Sequence, residues 1–130
     1  MNFTWPERHR RLIRAAYLAA VVVLTLAPIP EGVASRFPWW FDKAMHTGLF
    51  ACLAALLSWR PTGFPPLPPP VVPAARQVLG PVIALAGLIE LAQSLLPYRT
   101  GDVWDFVWGV VGGVAGYLAV ATLGVTSVQD

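Results

Sequence analysis

The chain has 130 residues, of which 56% are hydrophobic and only 12% charged, with a formal net charge of +2. A soluble domain carries about 25% charged residues, so this composition, with its apolar residues in long blocks and no dyad alternation, excludes an ordinary soluble fold and a membrane barrel and leaves membrane-crossing helices. The small, scattered positive charge excludes nucleic acid as a partner, and the single cysteine, Cys52, excludes an internal disulfide and a thiol-rich metal motif.

Taken in chain order, Arg8, Arg10, Arg11 and Arg14 lead into a first apolar block, residues 13–29, whose core from Ala15 to Ala27 carries no charge. A signal peptide has a similar layout. The only small-residue cleavage pattern that follows is the weak Val33-Ala34-Ser35, so the block is read as a retained span. The second block covers 39–59, with Asp42, Lys43 and His46 in its first turns. Residues 61–73 then hold seven prolines in thirteen positions, which predicts an extended, stiff cytoplasmic loop and not a helix. The third block covers 75–96, with Gly80-Pro81 early and Glu90 and Gln93 late. The fourth covers 103–123, with Asp105 in its first turn.

Each block is near the roughly 20 residues that cross a bilayer. Trp39, Trp40, Trp59, Tyr98 and Trp104 fall at the block ends, where an aromatic belt sits. The expected fold is all-α, a polytopic bundle of four transmembrane helices in one domain spanning 1–130. Six of the nine basic residues lie in the N-terminal arm or flank the second loop (Arg60, Arg76), against Arg36, Lys43 and Arg99 on the other side. That bias puts both termini in the cytoplasm.

Chain order alone brings the polar residues to one leaflet. His46 lies about 7 Å below the start of the second span, and Glu90 and Gln93 lie about 10 and 5 Å before the end of the third. Arg99 and Asp102 occupy the short loop between the third and fourth spans, and Asp105 follows one turn later. With Asp42 and Lys43, these eight residues form a one-sided candidate ligand site. Charge at depth is costly in lipid, so they should face the bundle interior or a wet recess. The opposite leaflet is bland, which excludes a continuous polar pore.

Three chemistries fit this set, beside simple charge pairing that locks helices together. Arg99, helped by Lys43 and Gln93, could bind the phosphate or carboxylate of an amphiphile, with Glu90 and His46 orienting the guanidinium. His46, Glu90 and Asp105 could hold a divalent metal, although no cofactor is signalled by a motif. His46 paired to Asp42 could act as a general base, but Ser94 and Ser35 are the nearest nucleophiles in sequence and neither is well placed. Binding therefore ranks above catalysis, for which His46, Glu90 and Asp105 are the candidates. In the fourth span Gly109, Gly112, Gly113 and Gly116 form a small-residue face. The G-x-x-x-G of Gly112 and Gly116 is read as internal helix packing ahead of a homodimer.

The same residues resemble a known signature. Asp42-Lys43-Ala44-Met45-His46 followed by Phe50, then Glu90-Leu91-Ala92-Gln93, then Tyr98-Arg99 with Asp105 and Gly112, resembles in order and spacing the motifs of the VanZ-like membrane family over residues 38–120. Gly109 departs from it, standing where the family usually has Asn. The family takes its name from an accessory protein of glycopeptide resistance, particularly to teicoplanin. The resemblance implies a multi-pass protein of the bacterial inner membrane that acts on the cell envelope. The leading expectation is recognition of an anionic lipid or lipid-linked envelope precursor in an outer-leaflet recess. The alternatives are a lipid-headgroup hydrolase or transferase, and a structural subunit of an envelope complex with a membrane-protein partner.

Overall fold

The computed structural model describes residues 7–30, 32–58 and 72–126. They form four helices: α1 (Glu7–Leu26), α2 (Trp40–Ser58), α3 (Val72–Leu95) and α4 (Val103–Thr126), with one 3-10 turn, Ala34–Arg36, between α1 and α2. The fold is all-α. α1 begins well ahead of the apolar block, because its charged first turns are themselves helix-compatible. Glu7 suits the helix N-terminus and pairs with Arg11 one turn on, at 2.6 Å. Trp59, Arg60 and residues 61–71 of the proline-rich segment lie outside the described residues. α3 already starts at Val72, so Pro73 belongs to its first turn, where the missing N–H would have had no partner.

The arrangement is set by one close approach. α2 packs most extensively on α4, α3 packs on both, and α1 rests on α2 and α3 without its backbone meeting that of α4. The cause lies in the glycine face of α4. A β-carbon added at Gly112 would meet the backbone carbonyl of Thr47, and one at Gly116 that of Ala51. Two glycines four residues apart thus seat two α2 carbonyls four residues apart, and the helices touch backbone to backbone. Gly113 receives Val82 of α3 on its other side, whereas Gly48 of α2 faces open space. Phe50, Leu53, Ala54, Val82 and Tyr117 fill the core beside this seam.

Side chains also close the orphan carbonyls that helix ends leave. Arg14 donates to the Leu56 and Leu57 carbonyls at 3.1 and 3.4 Å, capping the end of α2 with a cation, which suits its dipole. Gln93 Nε2 donates to the Thr25 carbonyl at 2.8 Å and the Tyr98 hydroxyl to that of Leu26 at 3.2 Å, doing the same for α1. These bonds fix α1 against α2 at one end and against α3 at the other.

Two of the four helices are long and apolar enough to cross a membrane, Ala75–Leu95 and Val103–Thr122, with mean hydropathies of 1.8 and 1.5. Only 28% and 33% of these stretches is buried in the bundle, which is not the state of core helices in a soluble protein. Leu88, Leu91 and Leu95 on α3 and Val107, Val111 and Leu118 on α4 turn outward, an apolar surface suited to lipid and not to water. Pro81 inside α3 fits the same setting, since spanning helices tolerate proline where neighbours compensate. α1 and α2 are charged at their starts and do not reach that mark alone. The chain is a membrane-associated protein.

Candidate functional site

At one end of the bundle the charged residues of α2 and α4 interlock. Asp102 immediately precedes α4, and its Oδ1 accepts the Trp104 amide hydrogen bond at 2.9 Å, an N-cap. Its Oδ2 lies 2.9 Å from Lys43 Nζ, which also reaches Asp105 Oδ1 at 3.3 Å. One lysine of α2 therefore holds two carboxylates at the start of α4. The Lys43 ammonium, and then the Trp104 amide, lower the Asp102 carboxyl below its ordinary range. A lowered folded-state pKa means that Asp102 contributes stability above the ordinary value of about 4 and loses it as pH falls through the depressed one. The melting difference between the parent and Asp102→Asn should accordingly be full at pH 7 and shrink below about pH 4. A difference that stays constant down to pH 3 would count against the pairing.

One turn deeper, His46 is 4% exposed and Asp105 is 4% exposed. His46 Nδ1 lies 3.0 Å from the backbone carbonyl of Asp42. A carbonyl only accepts, so Nδ1 is the donor in this contact, which in a neutral ring leaves the lone pair on Nε2. Nε2 is buried and has no partner among the described residues. The Asp42 carboxylate Oδ1 stands 3.8 Å from the same Nδ1. Ligand atoms of Asp42, His46 and Asp105 lie within 4.8 Å of one another. One imidazole and two carboxylates form a donor set for a divalent metal, and a ring N–H anchored on a carbonyl is the usual support of a ligating histidine.

The remaining predicted residues have other neighbours than expected. Glu90 is not in the metal-type group; Asp42 takes that place. Glu90 lies beside Gly101 and lines a groove between α3 and α4. Among the described residues no ion pair joins it to Arg99 or Lys43. Lys43 and Gln93, expected to help Arg99 hold an anion, are committed to Asp102 and Asp105 and to the Thr25 carbonyl. Arg99 instead faces a recess of about 380 Å³, in which Asp42, His46 and Thr25 supply the other polar groups. Leu24, Ile29, Phe37, Phe41, Met45 and Leu49 are among its apolar walls, and Phe37 and Phe41 stack at 4.2 Å. None of these wall residues was marked by sequence. Half of them lie in the α1–α2 connection or at helix ends, where periodicity carries no signal.

Gly109 lies under the Phe50 ring, 3.1 Å from the position of a β-carbon. A larger residue there would require that ring to yield, so the aromatic side chain occupies the space beside the cluster. No curated protein and no solved structure matches the chain. The VanZ/LLP1 family profile matches residues 12–124, a stretch that includes every member of the charged cluster, and the chain therefore belongs to the VanZ/LLP1 family.

Proposed function

We propose that the protein is a membrane-embedded enzyme that hydrolyses or transfers the headgroup of an envelope amphiphile, with a divalent cation held by Asp42, His46 and Asp105. The observation that carries this reading is the buried His46, its Nδ1 on the Asp42 carbonyl and its Nε2 without a partner among the described residues, grouped with the Asp42 and Asp105 carboxylates, where His46 and Asp42 also line an apolar recess. A bound cation would supply Lewis acidity and an activated water. The chain's own groups do the rest. The Asp42 carbonyl orients the His46 ring, Lys43 ties the start of α4 to α2 through Asp102 and Asp105, and the recess admits an apolar chain from the bilayer while presenting its head to the cluster. Family membership supports an envelope role.

In the same proposal all four helices cross a bacterial inner membrane with both termini cytoplasmic and the cluster in the outer leaflet. The exposed Trp39, Trp40, Tyr98 and Trp104 support an interfacial depth for that end. A purely structural subunit is less well supported, because Gly112 and Gly116 are already used within the chain.

The test is metal content by elemental analysis after purification in the presence of Mn²⁺ or Zn²⁺, followed by incubation with labelled bacterial lipids. The parent should retain about one cation per chain, matching the one three-donor group among the described residues, and release headgroup. Asp105→Asn and His46→Ala should lose most of both. Parent protein without metal or product would defeat the enzyme reading and leave lipid recognition, which the recess alone supports.

A further inference from the structure

We propose that Arg99 is the anion-binding residue of the recess, and that the occupant is an amphiphile with an apolar chain and an oxyanion headgroup such as a phosphate ester. This rests on the function proposed above and deepens it by naming the class of molecule; Arg99 is not itself a member of the metal group. Arg99 lies in the short connection between α3 and α4 and lines the recess wall. Its Nε is buried with no hydrogen-bond partner, and no ion pair engages its guanidinium among the described residues. Lys43, on α2 at the same end, is by contrast doubly paired.

A desolvated N–H donor on a permanent cation is costly to leave unmade. An arriving oxyanion matches the planar fork and can take two parallel hydrogen bonds. Asp42 and His46 share the recess, so the anion has a carboxylate to contend with. That carboxylate has its Oδ1 3.8 Å from His46 Nδ1 and is about half exposed, so water screens it from the arriving anion. A carboxylate, a sulfonate and a phosphate share the chemistry that Arg99 reads; a neutral or cationic head does not.

The size of the recess narrows the other half of the molecule. Its volume of about 380 Å³ lies at the small end of the range of about 300–1,000 Å³ for small-ligand sites. The recess is open along one side, so it houses a headgroup anion and the first part of an apolar chain and leaves the remainder to the bilayer. The stacked Phe37 and Phe41, with Met45 and Leu49, supply an apolar lining for that chain.

The experiment compares dodecyl phosphate, dodecanol and inorganic phosphate as probes, by native mass spectrometry and thermal shift in one neutral maltoside detergent. Dodecyl phosphate should bind the parent at least about 10-fold more tightly than either of the others, the effect of a charge-assisted bond. Arg99→Ala should erase that preference, and Arg99→Lys should keep part of it. Met45→Trp, which fills the recess and leaves Arg99 in place, should weaken dodecyl phosphate but not inorganic phosphate. Equal binding of dodecanol and dodecyl phosphate to the parent would overturn the anion site. Inorganic phosphate binding as tightly as the amphiphile would overturn the chain. These two comparisons need no variant, so they decide even where Arg99→Ala does not fold. Metal content measured on the same samples separates the readings: intact metal with no anion preference sinks this inference alone, and anion preference without metal sinks only the enzyme.

Discussion

Gly116→Val is expected to abolish the folded protein or lower its stability by about 3 kcal/mol or more, beyond the ordinary overpacking range of 1–3. The reason is what the new side chain would strike. At Gly116 a β-carbon would meet the Ala51 carbonyl, with the carbonyl carbon at 2.7 Å and Cα at 2.9 Å; at Gly112 the Thr47 carbonyl carbon and Cα stand at 2.8 Å. A side chain in the way can change rotamer, but helix backbone can only move as a unit. Shifting α2 off α4 would also draw Lys43 away from Asp102 and Asp105, so packing and charge fail together. Gly48→Ala is the matched control. It adds a methyl into open space and removes a helix-interior glycine, so it should be neutral or stabilising by up to about 1 kcal/mol. The measurement is monodisperse yield and melting temperature in one detergent. A Gly116→Val protein that melts with the parent would mean that the α2–α4 seam is not the close contact described.

That seam was half legible in the sequence. A G-x-x-x-G in an apolar helix announces a close approach, but not which helix makes it, and Gly48, which has the same composition and setting, turned out to face outward. The convergence of the polar residues was readable for a firmer reason. Successive helices joined by a short connection must begin where the last one ended, so Arg99, Asp102 and Asp105 had to lie near the end of α3 in any antiparallel arrangement. Rotation of each helix about its own axis is not fixed by chain order, and the partners were lost there. Glu90 and Arg99 share one end of the bundle yet take different neighbours, one beside Gly101, the other in the recess with Asp42 and His46. Gln93 reads as a ligand by its depth in an apolar run, but the Thr25 carbonyl at the frayed end of α1 claims its amide. The start of α1 was hidden because hydropathy sees only the part of a helix that suits lipid, whereas Glu7 and Arg11 continue it outside.

Lys43→Met is expected to be the most damaging single change in the charged cluster, destabilising by about 3–5 kcal/mol, because it strands a buried carboxylate. Asp105 has a side chain only 5% exposed and sits 3.3 Å from Lys43 Nζ. The second partner matters less: Asp102 is 40% exposed, and an ion pair that water can reach contributes little. Asp105→Leu alone leaves Lys43 with Asp102 and with a route to the interface, so its effect should be smaller. The double variant Lys43→Met/Asp105→Leu removes the stranded charge and should recover much of the loss, giving a coupling of about 1–3 kcal/mol in a double-mutant cycle. Additive effects would show that the two residues do not act on one another. The same variants report on the metal proposal. Lys43 and a cation held by Asp42, His46 and Asp105 compete for Asp105, so removing the lysine should strengthen cation binding while weakening the empty protein. Saturating Mn²⁺ should therefore raise the melting temperature of Lys43→Met more than that of the parent, through binding to the folded state alone. Asp105→Leu, which lacks the shared carboxylate, should gain nothing. If Mn²⁺ shifts all three proteins equally, the carboxylate that Lys43 holds is not a metal ligand, and the cluster is a charge clamp between α2 and α4.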